Sequence, residues 1–203
     1  MTPPTHHPVR VAGIVLAAGS SVRMGRNKLL LELAGQSVVR RGVSRGLAVL
    51  DPVIVVLGHE ADRVRQELAG LSCRIVVNPE HGRGMDTSVR AGVAALPADA
   101  DAAVMLLADM PLVTPAMLAA LVERFRTTGA PLVISRYGQV TAPPQLYARS
   151  LFAELAAAGS GKAVIDRHRA DAEVLMWPAA GLADLDLPAD RKRVEALLST
   201  QSG

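Results

Sequence analysis

Two basic residues and one acid stand where phosphate chemistry would need them. Arg23 and Lys28 lie five positions apart, just behind the small residues Ala17-Ala18-Gly19-Ser20-Ser21, and Asp109 closes the apolar run Leu106-Leu107-Ala108. A loop of Ala, Gly and Ser lets backbone N–H groups approach an anion, because few side chains stand in the way. Arg23 and Lys28 would then set full positive charges against a triphosphate. An acid at the end of a buried strand is poised to hold a divalent cation beside phosphates, since Mg²⁺ favours one or two carboxylates together with phosphate oxygens. Taken alone, an Asp before Met-Pro is more often a turn residue. The loop upstream makes the metal role the favoured reading.

The loop is neither of the two familiar phosphate cradles. A Walker A loop ends in Gly-Lys-Ser/Thr, whereas Gly25 is followed by Arg26-Asn27-Lys28-Leu29, and the Gly-x-Gly of a dinucleotide fingerprint is missing. The spacing LAAGxSxRMGxxK over residues 16–28 instead resembles the signature of the nucleotidyltransferases that build molybdenum cofactor dinucleotides, and within them the cytidylyltransferases. For any single Gly or Arg, an ordinary strand-to-helix turn would be the better reading. The assembled motif is specific. The resemblance implies nucleotide binding by Leu16, Ala17, Ala18, Gly19, Ser20, Ser21, Arg23, Gly25 and Lys28. It extends to Asn78-Pro79-Glu80-His81-Gly82-Arg83-Gly84-Met85-Asp86-Thr87-Ser88, where relatives carry NPxxxxGMxxS around base and ribose; Asn78, Gly84 and Ser88 match. The plainer alternative for this stretch is a helix entry capped by Asp86 or Thr87, with His81 a solvated loop histidine. Leu107-Ala108-Asp109-Met110-Pro111 matches the motif whose Asp binds metal.

These residues need a sheet behind them. Val11–Ala17 is a short apolar run of the kind buried on both faces of a parallel sheet. Residues 37–50 form an amphipathic helix with arginines on its polar side, 52–57 a second buried strand, 60–68 a short helix and 74–78 a third strand. A helix over 87–96 and a fourth strand over 102–108 follow; Thr114-Pro115 gives an N-cap and first-turn proline for a helix to Thr127. Strands are further expected at 132–135 and 174–177, and a last helix at 188–198. The alternation predicts an α/β, Rossmann-like three-layer sandwich with a mostly parallel sheet, ligands lying beyond the carboxyl ends of its strands. The resemblance narrows this to the nucleotide-diphospho-sugar-transferase type. We expect a disordered tail over 1–9 and a single nucleotidyltransferase domain over 10–203.

Composition sets the outer limits. A chain of 203 residues can bury a sizeable core, half of it is apolar, and only five residues are aromatic. Stacking platforms for bases are therefore not a theme. The net charge of +3, with arginines dispersed rather than striped, favours anionic small molecules over nucleic acid. One cysteine, Cys73, suits a packing role and a reducing, cytoplasmic setting. No apolar run is long enough to span a bilayer.

The second half departs from the resemblance. Ala142-Pro143-Pro144 stands where relatives often have Gly-His-Pro, and Gly159-Ser160-Gly161-Lys162-Ala163 replaces a GDxGA stretch together with its acid. A Gly-Ser-Gly-Lys run opening a helix can take a phosphate, so Gly159, Ser160 and Lys162 are candidates for the acceptor; a plain inter-helix turn is equally open. Leu182-Ala183-Asp184-Leu185-Asp186-Leu187-Pro188 resembles a closing DIDTP motif, which makes Asp186 a second metal candidate beside Asp109.

The resemblance implies transfer of CMP from CTP to molybdopterin or molybdenum cofactor, with Mg²⁺ and release of pyrophosphate. Arg23, Lys28 and Asp109 would carry catalysis. A molybdoenzyme of xanthine dehydrogenase type is the implied recipient. Other acceptors or GTP within the same fold, or a non-catalytic cofactor carrier, remain as alternatives; a triphosphate grip combined with a metal acid argues against the carrier.

Overall fold

The computed structural model describes residues 9–20, 27–182, 194 and 196–198. Ser21, Arg23, Gly25 and Asp186 lie outside them. Strand β1 (Val11–Ala17) is buried at every residue, as its unbroken apolar run requires. A short hairpin, β2 (Glu32–Leu33) and β3 (Gln36–Ser37), leads into helix α1 (Val38–Leu47), capped by Ser37 through its hydroxyl. Then come β4 (Val53–Leu57), α2 (Ala61–Glu67), β5 (Arg74–Val77), α3 (Met85–Ala94) and β6 (Ala102–Leu107). Next are α4 (Pro115–Thr128), with Thr114 accepting from the Met117 N–H, and β7 (Leu132–Tyr137). Strands β8 (Val140–Thr141) and β9 (Gln145–Ala148), helices α5 (Phe152–Ala158) and α6 (Gly161–His168), and β10 (Ala172–Trp177) complete the described elements.

The main sheet runs β10-β7-β9-β6-β1-β4-β5, with β8 paired to β7. β1 is parallel to both β4 and β6, and β4 to β5, so the carboxyl ends of four strands open on one edge. β9 is antiparallel to β6 and to β7, whereas β10 is parallel to β7. The sheet is thus mostly parallel, with one reversed strand near its middle.

One core cluster packs α1 and α4 on a face of the sheet, through Val39, Val43, Leu118, Leu121 and Val122. The other holds α3, α5 and α6 through Val89, Leu155, Val164 and Ile165. Trp177 packs at the margin of the first cluster, as does Cys73, whose thiol burial pushes its pKa up.

Several expectations are corrected. α3 starts at Met85 with Gly84 at its N-cap and no capping side chain, so neither Asp86 nor Thr87 caps it. The α1 arginines lie on the helix's polar side and are engaged there by backbone carbonyls of neighbouring segments. Arg40 donates to the Glu67 and Ala69 carbonyls, Arg41 to those of Leu33 and Ala34, and Arg45 to those of Pro111 and Val113. β9 was not expected as a strand; four residues between a double proline and an arginine turn carry too little periodicity to show one.

Candidate active site

Among the described residues, Leu16, Ala17, Ala18, Lys28 and Asp109 gather where β1 and β6 end. Leu16, Ala17 and Ala18 are buried, so what they offer there is backbone; the Leu16 carbonyl accepts from Ala108 N–H at 3.1 Å and the Ala18 carbonyl from His59 N–H at 3.3 Å. Gly19 and Ser20 follow and are exposed. Past the loop, a single 3₁₀ turn over Lys28–Leu30 is capped by Asn27, whose side-chain oxygen accepts from the Leu29 N–H. Leu29 is driven into the core. Lys28 is thereby turned to the strand ends.

There it meets Asp109. Lys28 Nζ lies 2.5 Å from Asp109 Oδ2, with side-chain exposures of 16% and 22%. A parallel crossover makes this meeting, for β6 lies beside β1 in register to Leu16↔Leu107 and both chains leave the sheet on the same side. The pair is charge-assisted and partly desolvated, which strengthens it over a surface ion pair. Among the described residues no group of three or more His, Cys, Asp or Glu could enclose a metal ion. A cation held by protein alone does not fit these residues; one shared between Asp109 and phosphate oxygens does.

β4 ends in Gly58-His59-Glu60. A methyl added at Gly58 would lie 2.5 Å from His81 Cβ and 2.8 Å from Ala18 Cβ, so only glycine lets the three segments close up. His81 is therefore half-buried over the strand tips rather than solvated, with its ring centroid 6.4 Å from that of His59. Next to it, hydrogen bonding from Arg63 foremost holds the Glu60 carboxyl below its usual range. The Gly directly after an apolar strand was the available signal for this contact; its partner lies too far along the chain to be read.

Asn78 and Ser88 are brought together, but toward each other. The Asn78 amide donates to Thr87 Oγ1 at 2.8 Å and Ser88 Oγ at 3.0 Å, while its oxygen accepts from Glu80 N–H at 3.0 Å. Thr87 Oγ1 donates onward to the Gly84 and Glu80 carbonyls. This knot shapes the loop that presents Gly84 and the exposed Met85. Gly159 caps α5 in a left-handed conformation at φ 60° and is buried against Asp86 and Arg90. Ser160 caps α6 by accepting from Ala163 N–H, and Lys162 is exposed, 2.6 Å from Asp166. The stretch thus bridges the start of α3 and β9, where Gly161 packs on the Tyr147 hydroxyl and that hydroxyl donates to the buried Gln145. Gln145 and Tyr147 were not singled out from the sequence. His168 is half-buried, its Nε2 2.7 Å from the Glu154 carboxylate.

Known proteins resemble the chain along most of its length. Residues 13–173 match the model of the MobA-like NTP transferase domain. The chain is 31% identical to a probable molybdenum cofactor guanylyltransferase of Chloroflexus aggregans, covering 97% of this chain and 98% of that one. The crystal structure of a homolog of Mycobacterium tuberculosis rv0371c, from Mycobacterium sp. strain JC1, superposes with a TM-score of 0.81 at 27% identity, over 95% of this chain and 98% of the other. Rv0371C from M. tuberculosis H37Rv in complex with manganese does so with a TM-score of 0.76 at 26% identity, over 93% and 99%.

Proposed function

Because the chain belongs to the MobA-like NTP transferase family, we propose that it transfers the cytidylyl group of CTP to the phosphate of a molybdopterin-type cofactor, releasing pyrophosphate. The fold is that of the nucleotide-diphospho-sugar transferases, and family membership makes the chain a nucleotidyltransferase. The observation that carries the rest is the Lys28–Asp109 pair at the shared edge of β1 and β6. A cation and an anion at one point offer matched partners to a metal–triphosphate complex.

An acceptor phosphate oxygen attacks the α-phosphorus in line; the new P–O bond forms as the bond to the β-phosphate bridging oxygen breaks, and the electron pair leaves on pyrophosphate. Nothing in this step needs a side-chain nucleophile. Lys28 holds an α-phosphate oxygen, Arg23 the outer phosphates, and backbone from Ala17 to Ser20 steers the chain of phosphates past the strand tips. Asp109, with Asp186 as second candidate, would hold Mg²⁺, which would supply Lewis-acid polarisation and offset charge developing on the leaving pyrophosphate. The manganese bound by Rv0371C supports a divalent cation in this family. Gly159, Ser160 and Lys162 are proposed to face the acceptor, and a molybdoenzyme of xanthine dehydrogenase type to receive the product.

The choice of base rests on Ala18. Its methyl packs close to Gly58 where the resembling guanylyltransferases carry glycine, and the bulk it adds fixes the loop backbone that reads the base edge in a narrower course, which favours a pyrimidine. A second reading, GTP as donor, is favoured by the name of the Chloroflexus relative. Pyrophosphate release with molybdopterin and Mg²⁺, measured as kcat/KM for CTP and GTP side by side, tests both. CTP preference, relaxed toward GTP in Ala18→Gly, is the expected result, and GTP preference in the unaltered protein removes the cytidylyl reading.

A further inference from the structure

We propose that Arg45 is a positioning residue for the acidic loop, gathering the Pro111 and Val113 carbonyls on one guanidinium so that the turn after β6 presents Asp109 to the cation. This rests on the reading of Asp109 as the metal acid. Met110, Leu112 and Val113 anchor the loop from Asp109 to Val113 in the core by their side chains, but its backbone is held by few hydrogen bonds of its own. Its own turns are loose, with Met110 N–H to the Leu107 carbonyl and Val113 N–H to the Met110 carbonyl both at 3.3 Å. Pro111 and Val113 are buried, so their carbonyls need donors from the protein. Arg45 Nη1 donates to both, at 2.7 Å for Val113. Among the described residues it is also the one polar side chain lining the small cavity formed with Val15, Gly42, Leu106, Leu107, Met110 and Val113. No neighbour there can take over the two carbonyls.

The helix that carries Arg45 is seated for the task. A methyl at Gly42 would come within 3.3 Å of the Ala108 carbonyl oxygen, so glycine lets α1 lie against the residue just before Asp109. One turn later Arg45 reaches the residues just after it. Burial, then the charge of Arg41, brings the Arg45 pKa down to about 10, which still leaves it cationic at neutral pH. Both bonds leave the one Nη1, whose two N–H groups are fixed in the guanidinium plane, whereas a lysine ammonium rotates freely and acts as a point charge.

Arg45→Met and Arg45→Lys, assayed by pyrophosphate release with CTP or GTP, whichever the unaltered protein uses, separate the outcomes. Supporting groups behind a metal ligand typically govern about tenfold to a hundredfold in metal affinity or activity. Arg45→Met should raise the Mg²⁺ concentration for half-maximal rate and lower kcat by about that factor, with KM for the nucleotide within about twofold, and Arg45→Lys should fall between. In the absence of any ligand, amide exchange at Met110 and Val113 should quicken in Arg45→Met while β1 and β6 stay protected. Unchanged Mg²⁺ dependence and unchanged exchange overturn the proposal. So does a parallel loss of every parameter with protection lost across the sheet. Should Arg45→Met fail to fold, Gly42→Ala, which pushes α1 off Ala108, must show the same split. Inactivity of the unaltered protein with every nucleotide takes down the functional reading as well, whereas an active enzyme indifferent to Arg45→Met removes Arg45 alone.

Discussion

Lys28 and Asp109 neutralise each other at 2.5 Å across the strand tips, so in the proposed reaction each would exchange its partner, Lys28 for a phosphate and Asp109 for a cation. Asp109→Asn keeps the shape and deletes the charge. Lewis-acid stabilisation is worth several kcal/mol, so Mg²⁺-dependent turnover should drop by about two orders of magnitude or more, with the circular dichroism spectrum intact; a folded variant with normal turnover refutes the metal role. Lys162 tests the other end of the reaction. It is exposed and pairs with Asp166 on the same helix, which is a weak, exchangeable tie. Lys162→Ala should raise KM for molybdopterin and spare KM for the nucleotide, while equal values for both substrates return Gly159 to Lys162 to a simple turn.

Between the elements, Asn78 acts as a strut. It is 4% exposed and joins the end of β5 to the first turn of α3 through Thr87 and Ser88. Asn78→Ala would leave two buried hydroxyls and the Glu80 N–H without their partner, a loss of about 1–3 kcal/mol, measurable as a lower melting temperature. The same change should raise KM for the nucleotide, because the loop bearing Gly84 and Met85 hangs from this knot. A variant with unaltered stability would mean that the amide serves ligand rather than scaffold. α1 plays the corresponding part on the opposite face, its three arginines tying α2, the β2–β3 hairpin and the acidic loop to one helix.

Across the molecule, protonation couples to stability at both ends of the pH range. Burial raises the Tyr137 and Tyr147 hydroxyls above their ordinary value of 10. A pKa raised on folding stabilises fully below the unfolded value and is lost as pH climbs past it, so the melting temperature should fall above about pH 10. Tyr147→Phe should flatten that fall. On the acid side, the hydrogen bond from His168 foremost lowers the Glu154 pKa, and those from Lys162 and Arg169 lower that of Asp166. Their contribution is present above the ordinary carboxyl range and is lost as pH drops through it. Thermal melts from pH 3 to pH 11 read both limbs. No helix among the described residues is long and apolar enough to cross a membrane.

Much of the sheet could be read along the chain, since fully buried parallel strands are written as unbroken apolar runs: β1, β4 and β6 lie close to where the runs 11–17, 52–57 and 102–108 announce them. The α4 entry at Thr114-Pro115 was equally plain, because capping is chemistry of adjacent residues. Residue type alone also marked Lys28 and Asp109 as a cation and an acid fit for phosphate and metal. Their meeting could not be read there, for it depends on a crossover that sets β6 beside β1. Nor could the sequence tell that Asn78 bonds to Thr87 and Ser88, that His81 rests on Gly58, or that Arg45 holds the acidic loop. Each of these is a contact between segments distant in the chain, chosen by how closely backbones approach and which buried carbonyls lack a donor. Periodicity and local propensity carry no record of either, so only the packed fold assigns them.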